Sequence, residues 1–300
     1  MVMRRPLLTL LLLIPALNIA VVDAQIEGAI DLHVHSAPDS VPRSLTAIET
    51  AQIARRYGMR AVLYKNHYFE TASLAFLVSQ VVPEVGAYGG ITLNRSVGGI
   101  NPTAVEQMAA LTGGHGRIVW MPTVDAAQGP FAATVDPANI LPLSNNDVLL
   151  PEVLAVLDVI AELDLALATG HSSPRDSLLL VRAARERNID RIVITHPLDD
   201  LTLPPAIRRE VIELGALLEF PIGAATPIGS TPYEEFVEQI RAAGPQNVVL
   251  STDLGQAVNP IPAAGFVSGV ERLLEDGFTQ DEINWMIRRN PARILDLEAN

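Results

Sequence analysis

Cysteine is absent from this 300-residue chain, and lysine is nearly absent. Without cysteine the protein has neither disulfide bonds nor thiolate metal ligands. Lysine occurs once, at Lys65, among 21 lysine and arginine residues. A lysine amine can lose its proton, attack a carbonyl or bind carbon dioxide as a carbamate, whereas a guanidinium cannot. Lys65 is therefore a candidate for chemistry, and the alternative is an ordinary surface lysine.

Positive charge is also scarce, because 34 acidic residues give the chain a formal net charge of −13. An acidic surface argues against nucleic acid and anionic membranes as partners. It leaves a small-molecule substrate and self-association open.

The N-terminus has the three-part layout of a secretory signal peptide. Arg4 and Arg5 precede an apolar run over 7–22, and Val22-Asp-Ala24 supplies small residues for cleavage. The run is short for a membrane-spanning helix, which needs about 20 residues. We therefore expect a signal peptide at 1–24, a periplasmic or secreted protein, and no stable membrane span after cleavage. An uncleaved anchor is the alternative.

Beyond residue 24, short apolar runs alternate with amphipathic stretches. The predicted strands are 29–35, 59–67, 85–93, 117–124, 165–171, 191–196, 216–221 and 247–253. The predicted helices are 44–57, 71–82, 102–111, 151–163, 173–187, 205–214, 231–243, 262–275 and 280–297. This alternation predicts an α/β protein with a buried parallel sheet. Eight units in one domain over 25–300 favour a (β/α)8 TIM barrel with C-terminal helices, and an open doubly wound sheet is the alternative.

Polar residues follow the predicted strands where a barrel would place catalytic groups. Five of the six histidines end a strand, namely His33, His35, His67, His171 and His196, whereas His115 lies in a glycine loop. Asp253 ends the last strand. Each unpaired polar group buried there would lower the stability of the fold by about 1–3 kcal/mol. We therefore expect these residues to have a common binding partner. Four imidazoles and a carboxylate around one axis suit a divalent metal, and we expect Zn²⁺.

His33 and His35 are two residues apart, so alternation along a strand places both rings on one face. Asp31 shares that face and is expected to accept a hydrogen bond from one of the rings. On the second strand, Lys65 and His67 also share a face. Beside a metal the pKa of the Lys65 amine would fall. The neutral amine could then form N6-carboxylysine and bridge two metals; contact with a substrate anion and a structural role are the alternatives.

These residues resemble the amidohydrolase superfamily. The resemblance rests on Asp31-Leu-His-Val-His35, on His171, His196 and Asp253, and on Asn290-Pro-Ala-Arg-Ile-Leu295. It implies that His33, His35, His171, His196 and Asp253 bind one or two metals and that Asp253 accepts a proton from the attacking water. Many binuclear members carry a carbamate lysine on strand four, but this chain has its lysine on strand two. Segments 65–67 and 89–94 are similar to an uncharacterised branch.

The resulting prediction is a metal-dependent hydrolase that acts on a small amide, lactone or ester through a metal-activated water. Asp253 and Lys65 are the predicted catalytic residues, and Lys65 is also a predicted metal ligand. His67, Arg43 and Asn94 are predicted to contact substrate, with Asp125 as a further candidate. The loop from Asp125 to Asp147 is expected to cover the site. The alternatives are a metal-dependent phosphoesterase, a Schiff-base lyase that uses Lys65, and a metal-binding barrel without catalysis.

Overall fold

The computed structural model describes residues 25–198, 201–225 and 231–297. The predicted signal peptide, 1–24, lies outside the described residues. No helix within the described ranges combines the length and hydropathy that crossing a bilayer requires.

Eight parallel strands form the central sheet, which confirms the barrel predicted from the alternation. These strands are β1 Ile30–Val34, β2 Ala61–Tyr64, β3 Gly86–Thr92, β4 Gly116–Trp120, β7 Ala166–Ala168, β8 Ile192–Ile194, β9 Leu217–Pro221 and β10 Val248–Ser251. Their order in the sheet is β1-β2-β3-β4-β7-β8-β9-β10. Beyond the end of β10, Asp253 N donates to His33 O at 2.8 Å and His35 N donates to Leu254 O at 2.9 Å. These bonds join the last strand to the first and close the barrel.

Helices surround the sheet and join successive strands. They are α1 Ala47–Arg56, α2 Ala72–Val81, α3 Pro102–Ala109, α4 Pro151–Glu162, α5 Pro174–Glu186, α6 Pro205–Glu213, α7 Tyr233–Ala243, α8 Pro262–Glu275, α9 Gln280–Asn284 and α10 Asn290–Ile294. Five of them, α3 to α6 and α8, begin with proline. The fixed φ of proline suits the first helical turn, where its missing N–H costs nothing.

The barrel interior and the layer between sheet and helices form two separate apolar cores. Ile30, Leu32, Leu63, Trp120 and Val249 belong to the interior core. The second, larger core packs the outer faces of the strands against the helices. Apolar side chains fill the interior toward the amino ends of the strands, so the polar groups lie at the carboxyl ends.

Strand β1 departs from regular alternation. Its pairing with β2 shifts register between Asp31 and Val34. Leu32 lies in the interior core, and the next side chain, His33, also points inward, where it meets Glu219 of β9. A register irregularity of this kind re-aims the side chains that follow it.

Two local predictions differ from the structure. The helix predicted over 280–297 divides into α9, a π-helical turn at Trp285–Arg289, and α10. Pro291 lacks the N–H that would continue an uninterrupted helix. Within the long loop after β4, β5 Ser144–Asn145 and β6 Val148–Leu149 form a short hairpin that was not predicted. Asn146 and Asp147 between them have φ of 50° and 63°, as a type I′ turn requires.

Candidate active site

A cavity of about 350 Å³ opens at the carboxyl end of the barrel. It is lined by His35, Val41, Arg43, Lys65, His67, Tyr68, Pro130, Phe131, His171, His196, Asp253 and Gln256. Seven of the nine residues assigned to the site from the sequence line this cavity. The other two contact residues that line it: His33 contacts Asp253 and Lys65, and Asn94 contacts the backbone of His67.

His33, His35 and Asp253 form one cluster. Oδ1 of Asp253 lies 3.1 Å from His33 Nε2 and 3.0 Å from His35 Nε2. The ligand atoms of these three residues all fall within 4.8 Å of one another. In a tetrahedral zinc site with bonds of about 2.0–2.1 Å, neighbouring ligand atoms are roughly 3.3 Å apart. The spacing of this cluster therefore fits one divalent cation.

His171 and His196 form a second group. Their Nε2 atoms lie 3.1 Å apart, and His171 Nδ1 lies 3.1 Å from the carbonyl oxygen of Thr123. A carbonyl only accepts, so His171 donates from Nδ1 and leaves Nε2 free as an acceptor or ligand. The two groups are adjacent, because the rings of His33 and His196 stack with centroids 6.1 Å apart.

Unusual backbone conformations position two of these side chains. His196 has φ of 21° and Asp253 has φ of 49°, values that non-glycine residues seldom adopt. Both residues lie beyond the strand ends, since β8 ends at Ile194 and β10 at Ser251. Strain of this kind persists where the surroundings impose it, and it collects at functional sites. No sequence signal marks it.

Lys65 lies inside the cavity, as predicted from its face on the second strand. Its Nζ is 3.1 Å from His33 Nε2 and 5.7 Å from the ring centre of Trp120. The side chain is buried. Burial lowers the pKa of the Lys65 amine, although Asp253 and Glu219 oppose the change. The geometry thus brings the lysine to the His33 cluster.

Glu219 was missed by sequence reasoning. It points into the barrel from β9 and its Oε1 accepts from His33 Nδ1 at 2.9 Å and from Ser251 Oγ at 2.8 Å. The available signal was a carboxylate in the middle of the apolar run Leu217-Leu-Glu-Phe-Pro221. Such a residue is almost never fully buried unless it is paired.

The role expected of Asp31 is wrong. Asp31 does not contact a histidine ring; its Oδ2 accepts from Thr252 Oγ1 at 2.6 Å and its Oδ1 from Thr252 N at 3.0 Å. The register shift in β1 separates Asp31 from the face that carries His33. Burial raises the pKa of Asp31 to about 7, and the residue fastens β1 to β10.

Arg43 contacts His35 and a buried carboxylate. Its Nε donates to Asp39 Oδ2 at 2.6 Å, and its Nη2 donates to His35 Nδ1 at 3.3 Å. A guanidinium has no acceptor, so Nδ1 of His35 must accept. Neutral His35 then carries its proton on Nε2, directed at Asp253, and that proton has to leave when Nε2 binds a cation.

His67 and Asn94 differ in their access to the cavity. His67 lines it, with Nδ1 2.8 Å from Thr123 Oγ1. Asn94 is fully buried; its amide donates to His67 O and Thr123 Oγ1, each at 2.9 Å, and its oxygen accepts from Thr123 N and Asp125 N. These bonds use the whole capacity of the amide, so the geometry favours a positioning role for Asn94 over substrate contact.

Two further predicted residues lie away from the reacting groups. Asp125 Oδ2 accepts from the backbone N–H of Arg95 at 2.7 Å. His115 Nδ1 donates to Ala87 O at 2.7 Å, and its Nε2 lies 3.4 Å from Ser79 Oγ. The structural role expected of His115 agrees with these contacts.

The loop after β4 covers part of the site. Phe131 stacks on the His171 ring at a centroid distance of 5.8 Å and meets His67 edge-on at 5.4 Å. Gly129 has φ of 88°, and a Cβ there would lie 2.9 Å from atoms of His171. Glycine is therefore required for the loop to approach the ring this closely.

Burial and neighbouring charges shift the pKa values of the site residues in different directions. Burial opposes ionisation of Asp253, but His33 and His35 outweigh it and hold the pKa of Asp253 well below its usual range. Burial lowers the pKa of His35 to about 4 and holds the pKa of His171 well below its usual range. Burial disfavours the cationic form of His33 too, yet Asp253 and Glu219 raise its pKa to about 9. The site thus offers the neutral rings of His35 and His171 and the ionised carboxylate of Asp253, the protonation states that bind metal, whereas a cation that binds His33 Nε2 has to displace a proton.

Comparison with solved structures shows the same fold in three hydrolase-type proteins. An amidohydrolase from Pseudomonas aeruginosa is 10% identical with a TM-score of 0.60, over 92% of this chain and 98% of its own. The phosphotriesterase homology protein from Escherichia coli, complexed with phosphate in its active site, is 16% identical with a TM-score of 0.59; the match covers 90% of this chain and 99% of that protein. The organophosphorus hydrolase from Deinococcus radiodurans is 18% identical with a TM-score of 0.52; the match covers 83% of this chain and 82% of that protein. At these identities the likeness establishes the fold.

A comparison with curated proteins found no match. A family model matches residues 28–219, which is more than half of the chain and includes every cavity residue discussed above except Asp253 and Gln256. The chain therefore belongs to the family of unknown function DUF6282.

Proposed function

We propose that the protein is a metal-dependent hydrolase that acts on a small carbonyl-containing substrate, an amide, lactone or ester. One observation carries the proposal. Four imidazoles and a carboxylate, drawn from the ends of β1, β7, β8 and β10, meet at the cavity: Asp253 Oδ1 lies 3.0–3.1 Å from the two β1 imidazoles, and the Nε2 atoms of His171 and His196 lie 3.1 Å apart. Active sites of this fold lie at the carboxyl ends of the strands.

The ligands proposed for the metal are His33, His35, His171, His196 and Asp253. Nitrogen and oxygen donors without thiolate suit Zn²⁺, which binds imidazole and carboxylate in a tetrahedral arrangement. The division into two groups is compatible with one ion or two. Lys65, beside His33 Nε2, is the proposed bridging ligand in the two-ion case, as N6-carboxylysine.

A divalent cation held there would act as a Lewis acid toward the substrate oxygen and would make water a stronger nucleophile. Asp253 is ionised at neutral pH and partly exposed to the cavity, with 29% of its side chain accessible. Its Oδ1 can accept a proton from the attacking water and return it to the leaving group. Arg43 and His67 line the same cavity and would orient the substrate. Phe131 and Tyr68 exclude water from one wall.

Phosphoester hydrolysis is the second candidate. The support is the phosphate complexed in the active site of the Escherichia coli structural relative and the organophosphorus hydrolase named among the others. The same constellation could polarise a phosphoryl oxygen as well as a carbonyl oxygen.

Turnover by the purified full chain, loaded with Zn²⁺, is the test. A panel of lactones, esters, amides and phosphoesters separates the two substrate classes. We expect hydrolysis that chelation abolishes and added Zn²⁺ restores. A chain that binds Zn²⁺ but turns over no member of the panel would favour a metal-binding barrel and contradict the proposal.

We also propose that the protein acts in the periplasm or outside the cell after removal of residues 1–24. N-terminal sequencing of the protein from the periplasmic fraction of a bacterial host tests this. A mature chain that begins at Gln25 supports the proposal, and a chain that retains Met1 in the membrane fraction contradicts it.

A further inference from the structure

Glu219 is a carboxylate buried in the barrel interior. It lies on β9 two residues after Leu217, which belongs to the interior core. Because side chains alternate along a strand, Glu219 points into the same interior, just below the cavity. It is buried to 2% exposure. A buried charge is retained only where partners compensate the loss of water.

Its hydrogen bonds are unevenly distributed between its two oxygens. Oε1 receives both bonds, from His33 Nδ1 at 2.9 Å and from Ser251 Oγ at 2.8 Å. Among the described residues no group donates a hydrogen bond to Oε2, although that atom is buried. A buried oxygen without a partner destabilises the fold. The hydrogen bond between Oε1 and His33 Nδ1 therefore explains why a carboxylate is placed here.

An ionised carboxylate only accepts hydrogen bonds. His33 must therefore donate from Nδ1, whether the ring is neutral or cationic. A neutral ring with its proton on Nδ1 has its lone pair on Nε2. That atom lies 3.1 Å from Asp253 Oδ1 and 3.1 Å from Lys65 Nζ, on the side where the proposed cation would sit.

We propose that Glu219 is a positioning residue that fixes the ring orientation and tautomer of His33, so that Nε2 is the atom offered as a ligand. Carboxylates that hold a ligating imidazole in this way raise its basicity and set its direction. The contrast with His35 supports the assignment, since Arg43 directs the opposite tautomer there. His33 is then the pre-organised ligand of the cluster. The metal-affinity part of this inference rests on the proposed function, whereas the tautomer does not.

The first test needs no variant. Long-range proton–nitrogen correlation spectra of ¹⁵N-histidine-labelled, metal-free full chain are recorded at a pH where the His33 imidazole is neutral. We expect a proton on Nδ1 and none on Nε2. A neutral His33 with its proton on Nε2 would overturn the proposal, whatever the metal does.

The second test compares Zn²⁺ affinity, measured by competition with a chromophoric chelator. Glu219→Gln preserves shape and should weaken binding about 10–100-fold, the effect typical of losing an outer-shell partner. Ser251→Ala is the matched control, because it removes the other bond to the same oxygen and leaves the carboxylate on His33; its affinity should change less than about threefold. Equal losses in both variants, or none in Glu219→Gln, would overturn the proposal.

Folding of the variants is checked independently by thermal unfolding of the metal-free proteins. Glu219→Gln removes the charged partner of His33, so we expect a lower metal-free Tm with a single cooperative transition, which shows that the variant still folds. If wild-type protein binds no divalent cation at all, the proposed function fails. The tautomer measurement still decides the role of Glu219.

Discussion

The Nε2 atoms of His171 and His196 lie 3.1 Å apart although 25 residues separate the two histidines in the chain. Two neutral rings can approach so closely through an N–H···N hydrogen bond or as two ligands of one cation. The hydrogen bond from His171 Nδ1 to the carbonyl of Thr123 orients the ring so that its Nε2 faces His196 Nε2. The pair therefore provides two ligating nitrogens without contribution from the β1 histidines.

Removal of either histidine should lower metal binding. We expect His171→Ala and His196→Ala each to weaken Zn²⁺ affinity by at least the roughly 10–100-fold produced by losing an outer-shell partner. Elemental analysis of the dialysed proteins gives the stoichiometry. His115→Ala is the matched control, since His115 bonds Ala87 and Ser79 away from the cavity. Undiminished metal in both site variants would refute the ligand set.

Stoichiometry in the same variants separates one ion from two. If the two groups hold separate ions, His171→Ala should lose one equivalent of Zn²⁺ and keep a second equivalent bound to His33, His35 and Asp253. If a single ion is shared, the variant should lose most of its metal at a given free Zn²⁺ concentration.

Asp253→Asn should abolish most turnover while the fold is kept. The amide cannot accept the proton, and loss of a general base typically reduces turnover by about 10²–10⁴-fold. Asparagine tolerates the φ of 49° found at this position better than most residues, so the backbone should not shift. The kcat of metal-loaded protein is measured beside its circular dichroism. Turnover within a factor of a few of wild type would exclude Asp253 as the base.

Variants of Lys65 distinguish a carbamate bridge from Schiff-base chemistry. If a carbamate bridges two ions, Lys65→Ala should lose metal and turnover, and millimolar bicarbonate or a short carboxylic acid should restore part of both. Reconstitution of wild-type protein in carbon dioxide-free buffer should then be slow. Lys65→Arg keeps the charge but cannot be carboxylated, so it serves as the control. Covalent trapping of substrate on Lys65 by borohydride would instead identify a Schiff-base lyase.

Arg43 should affect substrate binding more than metal binding. The double variant Arg43→Met with Asp39→Asn removes the ion pair without leaving a buried charge unpaired. For substrates with a carboxylate near the scissile bond, KM should rise about tenfold or more, the scale of a lost hydrogen bond to a charged group. Zn²⁺ affinity should hold or increase, because a donor no longer keeps His35 Nδ1 occupied. An unchanged KM across charged and uncharged substrates would remove Arg43 from the binding site.

The alternation of apolar runs and helical stretches was enough to predict the barrel, because a parallel sheet covered by helices needs this order of segments. The bounds were less accurate. His171, His196 and Asp253 lie past the strand ends rather than on them, and the positive φ of His196 and Asp253 has no signature in the local sequence. The broken C-terminal helix follows from Pro291, a signal present in the sequence.

Contacts across the barrel were beyond what local patterns could predict. Glu219 reaches His33 over a separation of 186 residues, and Arg43 reaches His35 through the turn that follows β1. Asp31 was assigned to the wrong face because a register shift interrupts the period of two. Strand pairing decides such shifts, and pairing is a property of the neighbouring strand as much as of the strand itself.

The order of residues along this chain was sufficient to select the fold and to place nitrogen and oxygen donors near strand ends, since both depend on local periodicity. The roles of the donors depend on closure of the barrel. Closure brings β1 against β10 and β9, and only then does each imidazole acquire the partner that sets its tautomer: a carboxylate for His33, a guanidinium for His35 and a carbonyl for His171. Hydrogen bonding acts over about 3 Å, so these assignments depend on distances that no one-dimensional pattern contains.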